Sequence, residues 1–120
     1  MKVVINRCFG GFGLSEQAFE EILKRKGVEF DKQDGQFSSL VGADYYEKGH
    51  AGDDEYYISA YDYYNDRADP DLIEVVEQLG DAANGRHAEL AIVEIPDDVE
   101  WLIDEYDGRE HVAEAHRTWY

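Results

Sequence analysis

The chain has 120 residues, of which 28 are acidic and 11 basic, giving a formal net charge of −17 at pH 7. This length predicts a single domain, and the 43% hydrophobic content argues against disorder. Because nucleic acids and anionic membranes are bound through clustered Lys and Arg, the charge argues against both as direct partners. The first 40 residues are balanced in charge, so the whole acidic excess lies beyond residue 40.

A glycine-rich junction follows the first predicted strand, at residues 2–7. The junction runs Gly10-Gly11-Phe12-Gly13, and Ser15 then reads as the N-cap of a helix. Glycines let a backbone approach a ligand closely, and a helix N-terminus offers N–H groups to an anion. The junction is therefore a candidate anion-binding nest, with a plain structural turn as the alternative. It matches neither the dinucleotide fingerprint nor the lysine-containing phosphate loop of nucleotide hydrolases.

Helical periodicity predicts a first helix over residues 15–26, ended by Gly27. The middle of the chain is harder to interpret: residues 28–30 and 55–62 resemble strands, and residues 42–54 resemble a mobile loop. Asp69 and Pro70 then start a second helix, which is expected to end near residue 84.

The C-terminal third predicts two strands, at 89–95 and 100–106, joined as an antiparallel hairpin. Asp107 is then expected to cap a last helix, with Val112, His116 and Trp119 on one face. Together these elements predict a single α+β domain over residues 1–120, with a mainly antiparallel sheet packed with about three helices. A Tyr/Asp-rich insertion or mobile loop is expected around residues 42–64.

Arginines are scarce beyond residue 40, so each one there is informative. Such an arginine is either a local ion-pair partner or a bidentate clamp for phosphate or carboxylate. The candidate ligand-binding residues come from three of these arginines, from the junction and from the end of the strand before it. They are Asn6, Arg7, Gly10, Gly11, Phe12, Gly13, Ser15, Arg67, Arg109 and Arg117. The histidines lack metal-motif spacing, so neither a metal, a cofactor nor a catalytic residue is predicted.

Seven of the nine tyrosines lie between residues 45 and 64, beside a run of acids. Tyrosine is enriched at binding hot spots, so this stretch is a candidate protein-interaction surface. The alternatives are a sheet face that shields the core and an ordinary solvated acidic surface. The candidate interaction residues are Asp53, Asp54, Glu55, Tyr56, Tyr57, Tyr61, Tyr63 and Tyr64.

Several stretches together resemble a family of small, functionally uncharacterised phage and prophage proteins. They are VVINRCFGGFGLS near the N-terminus, the start of the second helix at 67–77, and IPDDVEW, DEYDG and HRTW toward the C-terminus. The resemblance covers about half of the chain, and the tyrosine-rich stretch at 44–64 departs from it. It implies an accessory protein of host takeover or counter-defence, and it implies no catalytic residues.

Two functions are therefore expected for a non-enzymatic protein of the host cytoplasm. In the first, it binds and sequesters a nucleotide-like or other small anionic ligand at the junction and an arginine. In the alternative, its acidic, tyrosine-rich surface blocks a basic host protein, as an inhibitor or nucleic-acid mimic. Trp119 and Tyr120 at the C-terminus are consistent with a homo-oligomer.

Overall fold

The computed structural model describes residues 1–34 and 43–114, without the side chains of Asp34 and Tyr64. Its strands are β1 (Lys2–Asn6), β2 (Phe30–Asp34), β3 (Ala43–Glu47), β4 (Leu90–Glu94), β5 (Trp101–Tyr106) and β6 (Arg109–Glu114). Its α-helices are α1 (Glu16–Arg25), α2 (Tyr61–Tyr64) and α3 (Pro70–Leu79), and 3-10 turns cover Asp54–Tyr56 and Gly80–Ala83.

The strands pair antiparallel in three two-stranded sheets: β1 with β4, β2 with β3, and β5 with β6. The single α+β domain predicted from the sequence is therefore confirmed within the described residues. In the first sheet, Val4 lies opposite Ile92. Both residues face the hydrophobic core, which α1 and α3 cover.

The first two predicted helices are confirmed, but α3 ends at Leu79, before the predicted end near residue 84, and a 3-10 turn follows it. Local chemistry explains where both helices begin. In α1, Ala18 and Ile22 are buried together on one face, one helical turn apart. The side chain of Ser15 accepts a hydrogen bond from Ala18 N at 3.1 Å, which caps the helix. Asp69 caps α3 in the same way, accepting from Leu72 N at 3.1 Å.

The predicted last helix is wrong, and so is the pairing of the two preceding strands. Asp107 does not cap a helix: with φ of 51°, it forms a tight turn with Gly108, whose φ is 88°. Asp-Gly is a favoured two-residue hairpin loop because both residues tolerate positive φ. The turn joins β5 to β6, so Val112 lies in a strand opposite Ile103, and β4 pairs with β1 instead. The other two residues of the predicted helix face, His116 and Trp119, lie outside the described part.

The middle of the chain also differs from its prediction. Residues 43–47 form strand β3 in the part expected to be a loop, with Tyr45 buried in the core. Residues 55–62, expected to be a strand, instead contain the end of a 3-10 turn and the start of α2. Aromatic packing explains the difference, because Tyr45 lies 5.0 Å from Phe19 and 5.3 Å from Phe30 between ring centroids. Whether 42–64 is an insertion stays a prediction.

Within residues 1–34 and 43–114, every helix is too short or too polar to span a bilayer.

Candidate functional site

The second half of the glycine-rich junction is engaged with the backbone that follows α3. Gly85 N donates to Gly13 O at 2.9 Å, and a Cβ on Gly85 would lie within 3.0 Å of Gly13 backbone atoms. Ser15 N donates to Ala83 O at 2.9 Å, while the Ser15 hydroxyl caps α1 at Ala18. The N–H and the hydroxyl of Ser15, donors that an anion nest would use, are therefore bonded within the protein, to Ala83 O and Ala82 O.

The first half of the junction receives the tip of the β5–β6 hairpin. A Cβ on Gly108 would lie within 3.0 Å of backbone atoms of Gly10 and Gly11, and one on Gly10 would collide with His87. Gly108 O also accepts a hydrogen bond from Asn6 Nδ2 at 2.7 Å. The glycines thus permit close backbone packing, which fixes the hairpin tip against the end of β1.

Asn6 is fully buried and joins three segments. Its side-chain amide nitrogen donates to the carbonyls of Cys8 and Gly108, and its side-chain oxygen accepts from Cys8 N at 3.1 Å and Glu89 N at 2.8 Å. Its backbone N–H donates to Glu110 Oε1 at 2.8 Å. Since an asparagine side chain offers two donor hydrogens and two acceptor sites, these contacts use its whole capacity. The Asn6 side chain, a predicted ligand contact, therefore has no hydrogen-bonding capacity left for a ligand.

Arg67 lies in a buried ion pair with Glu110 of strand β6. Arg67 Nη1 is 2.7 Å from Glu110 Oε1, and Nη2 is 3.0 Å from Oε2, a bidentate geometry. The Arg67 guanidinium also lies over the Phe12 ring, 3.6 Å from its centroid, and donates to Val4 O at 3.3 Å. Arg67 was predicted to be either a local ion-pair partner or a clamp for a ligand, and these contacts are those of an ion-pair partner.

A groove of about 590 Å³ lies where the hairpin meets the end of β1. Arg7 and Phe9 line it from the junction side, and Tyr106 and Arg109 from the hairpin, where these two face each other across the turn. Phe9 is 60% exposed and Tyr106 79%, and the Arg109 guanidinium lies 5.7 Å from the Phe9 ring centroid. The other lining residues are Ile5, Val93, Glu110, His111 and Val112.

The groove has a local positive charge in an acidic protein. In the part of the chain that the structure describes, neither Arg7 nor Arg109 has a carboxylate within 4.0 Å, and Glu110 is neutralised by Arg67. Four other cations are paired: Lys2 with Glu77, Arg25 with Glu74, Lys26 with Asp69 and Asp71, and Lys32 with Glu16 and Glu20. Lys24, Lys48 and Arg86 also have no carboxylate within 4.0 Å in the described chain, but they do not line this groove. The structure thus brings two predicted ligand-binding arginines together with two exposed aromatic rings.

The predicted interaction residues are divided between surface and interior. Asp53, Asp54, Glu55, Tyr57 and Tyr61 are exposed, and Asp53 caps the 3-10 turn through Glu55 N at 3.1 Å. The rest are less available: Tyr56 is half-buried and stacks on His50, Tyr63 is half-buried against Phe19, and the side chain of Tyr64 is outside the described part.

Burial raises the pKa of four tyrosines in this stretch: Tyr45, Tyr46, Tyr57 and Tyr63. Burial raises the pKa of the Tyr45 hydroxyl, and its hydrogen bond to Glu20 Oε2 at 3.0 Å acts in the same direction. Tyr57 is 43% exposed, and the burial of the rest of its side chain raises its pKa, with the negative charge of Asp44 acting in the same direction. The stretch therefore supplies both core packing, through Tyr45, and an exposed acidic surface with tyrosines.

Sequence reasoning missed Phe9, Tyr106 and His111 as groove residues. The available signal was Asp107-Gly108, which predicts a hairpin turn when the flanking residues are read as strands. That turn places Tyr106 opposite Arg109. Their proximity to Phe9 depends on tertiary docking at Gly108, which no local pattern reports.

Two further predictions concern Arg117 and metal binding. Arg117 lies outside the described residues, as do Trp119 and Tyr120, so its role as a ligand contact and the homo-oligomer stay predictions. Among residues 1–34 and 43–114, no three His, Cys, Asp or Glu side chains cluster in a way that suits a metal ion.

Comparison of the chain with protein-family models, curated proteins and solved structures found no match.

Proposed function

We propose that this protein binds and sequesters a small anionic, nucleotide-like ligand in the groove between the end of β1 and the β5–β6 hairpin. The observation that carries the proposal is the pair of exposed arginines, Arg7 and Arg109, which line one groove without a carboxylate partner in the described chain. Guanidinium groups donate several hydrogen bonds in a plane that suits phosphate and carboxylate. Phe9 and Tyr106 add exposed aromatic area for a planar group.

The charge of the whole protein favours a small ligand over a polyanion. At physiological ionic strength, charges more than about 8 Å apart are largely screened, so a bound small anion interacts mainly with the groove arginines. A nucleic acid would extend beyond the groove over a chain of net charge −17. This reasoning supports a compact anion as the ligand and disfavours DNA and RNA.

The test is calorimetric titration with a panel of nucleotides and sugar phosphates, together with thermal unfolding. A ligand that binds only the folded state adds about 2.7 kcal/mol to stability at 100 times its dissociation constant. Arg7→Gln and Arg109→Gln are each expected to weaken binding about tenfold or more, since a charge-assisted hydrogen bond is lost. Arg86→Gln is the matched control, because Arg86 is exposed and does not line the groove.

Absence of binding by every anion at millimolar concentration would refute the proposal. Equal loss in the Arg86 control would also refute it, since that result indicates a nonspecific charge effect.

Sequestration, as opposed to catalysis, has its own readout. The ligand is expected to be recovered unchanged by chromatography after long incubation, at a stoichiometry of one per chain. Conversion of the ligand would show an enzyme instead. The biological role proposed with it, host takeover or counter-defence in the host cytoplasm, rests on the resemblance to phage proteins, and a non-catalytic role with no cofactor is part of the proposal.

A second candidate function is blockade of a basic host protein by the acidic surface. It is favoured by the exposure of Asp53, Asp54 and Glu55 in the same segment as exposed Tyr57. Binding would weaken with salt, and reversing the three charges would reduce it. Reversal of three other exposed acids, Glu94, Asp98 and Glu100, is the matched control. Binding that is insensitive to the first set of reversals would exclude this surface as the interface.

A further inference from the structure

We infer that the ligand of the groove is a nucleoside monophosphate, held by its phosphate and by stacking of its base, with little discrimination between bases. This inference rests on the proposed function and specifies the ligand class of the same groove. Three features of the groove support it: the charge, the exposed aromatic rings and the ion pair of Glu110, the one carboxylate among the described lining residues.

The charge of the groove matches a phosphate monoester. Arg7 and Arg109 contribute two positive charges, while the negative charge of Glu110 is neutralised by Arg67 at 2.7 and 3.0 Å. A phosphate monoester carries about −1.5 to −2 charges at pH 7, which two guanidinium groups balance. A cyclic phosphodiester or a carboxylate brings only one negative charge, so it gains less from the second arginine.

The aromatic rings favour a base attached to the phosphate. Phe9 and Tyr106 expose most of their surface at the groove, and such rings are the platforms on which nucleic-acid bases stack. Stacking of one base on an aromatic side chain strengthens binding by roughly 5- to 150-fold. The groove volume of about 590 Å³ lies within the range of sites that hold small organic ligands.

The state of Glu110 argues against strong base selection. It is the one carboxylate among the described lining residues, and so the strongest acceptor available to the amino groups of adenine, cytosine or guanine. Both of its oxygens are engaged by Arg67, and Oε1 also accepts from Asn6 N at 2.8 Å. Because that acceptor is paired and its side chain is only 8% exposed, recognition depends on stacking, which every base provides.

The experiment measures dissociation constants by calorimetry for AMP, GMP, CMP and UMP, with adenosine, inorganic phosphate and 3′,5′-cyclic AMP as partial probes. The four monophosphates are expected to bind within tenfold of one another. Each partial probe is expected to bind AMP's site at least tenfold more weakly than AMP does.

Variants separate the two halves of the recognition. Phe9→Leu and Tyr106→Leu are expected to weaken AMP binding at least fivefold without changing that of phosphate, whereas Arg7→Gln weakens both. Tyr61→Leu is the control, because Tyr61 is exposed and does not line the groove.

The outcomes distinguish this inference from the proposed function. A preference for one base above tenfold, or phosphate or cyclic AMP binding as tightly as AMP, would overturn the inference and leave anion binding in the groove intact. AMP binding unchanged by Phe9→Leu and Tyr106→Leu would do the same. Failure of every anion, including the sugar phosphates of the earlier panel, would remove the proposed function and this inference together.

Discussion

Replacing Glu110 by glutamine removes one charge of the buried Arg67–Glu110 ion pair while keeping the size of the side chain. The Arg67 side chain is 14% exposed and that of Glu110 is 8% exposed, so the uncompensated guanidinium would remain largely desolvated. The glutamine amide still offers one oxygen to Asn6 N, but it presents an N–H donor to a guanidinium that has no acceptor of its own. The predicted effect is therefore destabilisation of the contact between β6 and β1.

The contacts of Arg67 set the magnitude. Breaking a buried ion pair by removing one partner lowers the free energy of unfolding by about 3 to 5 kcal/mol. Arg67 keeps its contact with the Phe12 ring at 3.6 Å and its bond to Val4 O at 3.3 Å, so we expect the lower end, about 3 kcal/mol. That is a large share of the roughly 5 to 15 kcal/mol that stabilises a typical domain.

Urea unfolding followed by circular dichroism measures the loss. The control is Glu77→Gln, which breaks the surface ion pair between Glu77 and Lys2. These side chains are 43% and 45% exposed, so we expect the free energy of unfolding to fall by less than about 1 kcal/mol. The double variant Arg67→Met with Glu110→Gln is expected to lose at least about 1 kcal/mol less than the sum of the single losses. Equal losses for Glu110→Gln and Glu77→Gln would refute the argument that burial makes this ion pair important.

Three further predictions concern the turn, a buried tyrosine and a helix cap. Gly108→Ala is expected to lower the free energy of unfolding at least about 1 kcal/mol more than Gly49→Ala, because both have positive φ but only the first Cβ collides with neighbouring backbone; equal losses would contradict this. Since the pKa of Tyr45 is raised on folding, its contribution to stability is complete below the unfolded value of about 10 and falls by up to about 1.4 kcal/mol per pH unit above it. Urea unfolding between pH 8 and 11 is therefore expected to show a smaller alkaline loss for Tyr45→Phe than for the unmodified protein, and parallel curves would count against it. Ser15→Ala is expected to lower the free energy of unfolding by about 1 kcal/mol through loss of the cap on α1, and an unchanged urea midpoint would exclude the capping role.

Local chemistry was enough to predict α1 and α3. Ser15 and Asp69 are N-caps, and the apolar positions that follow each of them recur at helical spacing. These signals lie within a few residues of each other, so they can be recognised without knowledge of the tertiary structure. The α+β class followed from the alternation of such helices with β-branched segments.

The prediction of a last helix was wrong for a physical reason. Asp107 suits a helix N-cap and also the first position of a two-residue hairpin turn, and the residues after it fit either structure. Pairing with β5 and burial of Glu110 against Arg67, which is 43 residues away in the chain, favour the hairpin over the helix. The middle strand β3 was missed similarly, because Tyr45 is buried by Phe19 and Phe30, which its own sequence neighbourhood does not reveal.

The sequence by itself determined the acidic charge, the two main helices and the candidate status of Arg7, Arg67 and Arg109. Tertiary structure decided the different environments of these three arginines. Arg67 forms an internal ion pair with Glu110, while Arg7 and Arg109 line one groove. It also decided that the glycine-rich junction receives the hairpin tip at Gly108 through close backbone packing. These outcomes depend on contacts between residues up to about a hundred positions apart, and local propensity carries no information about such contacts.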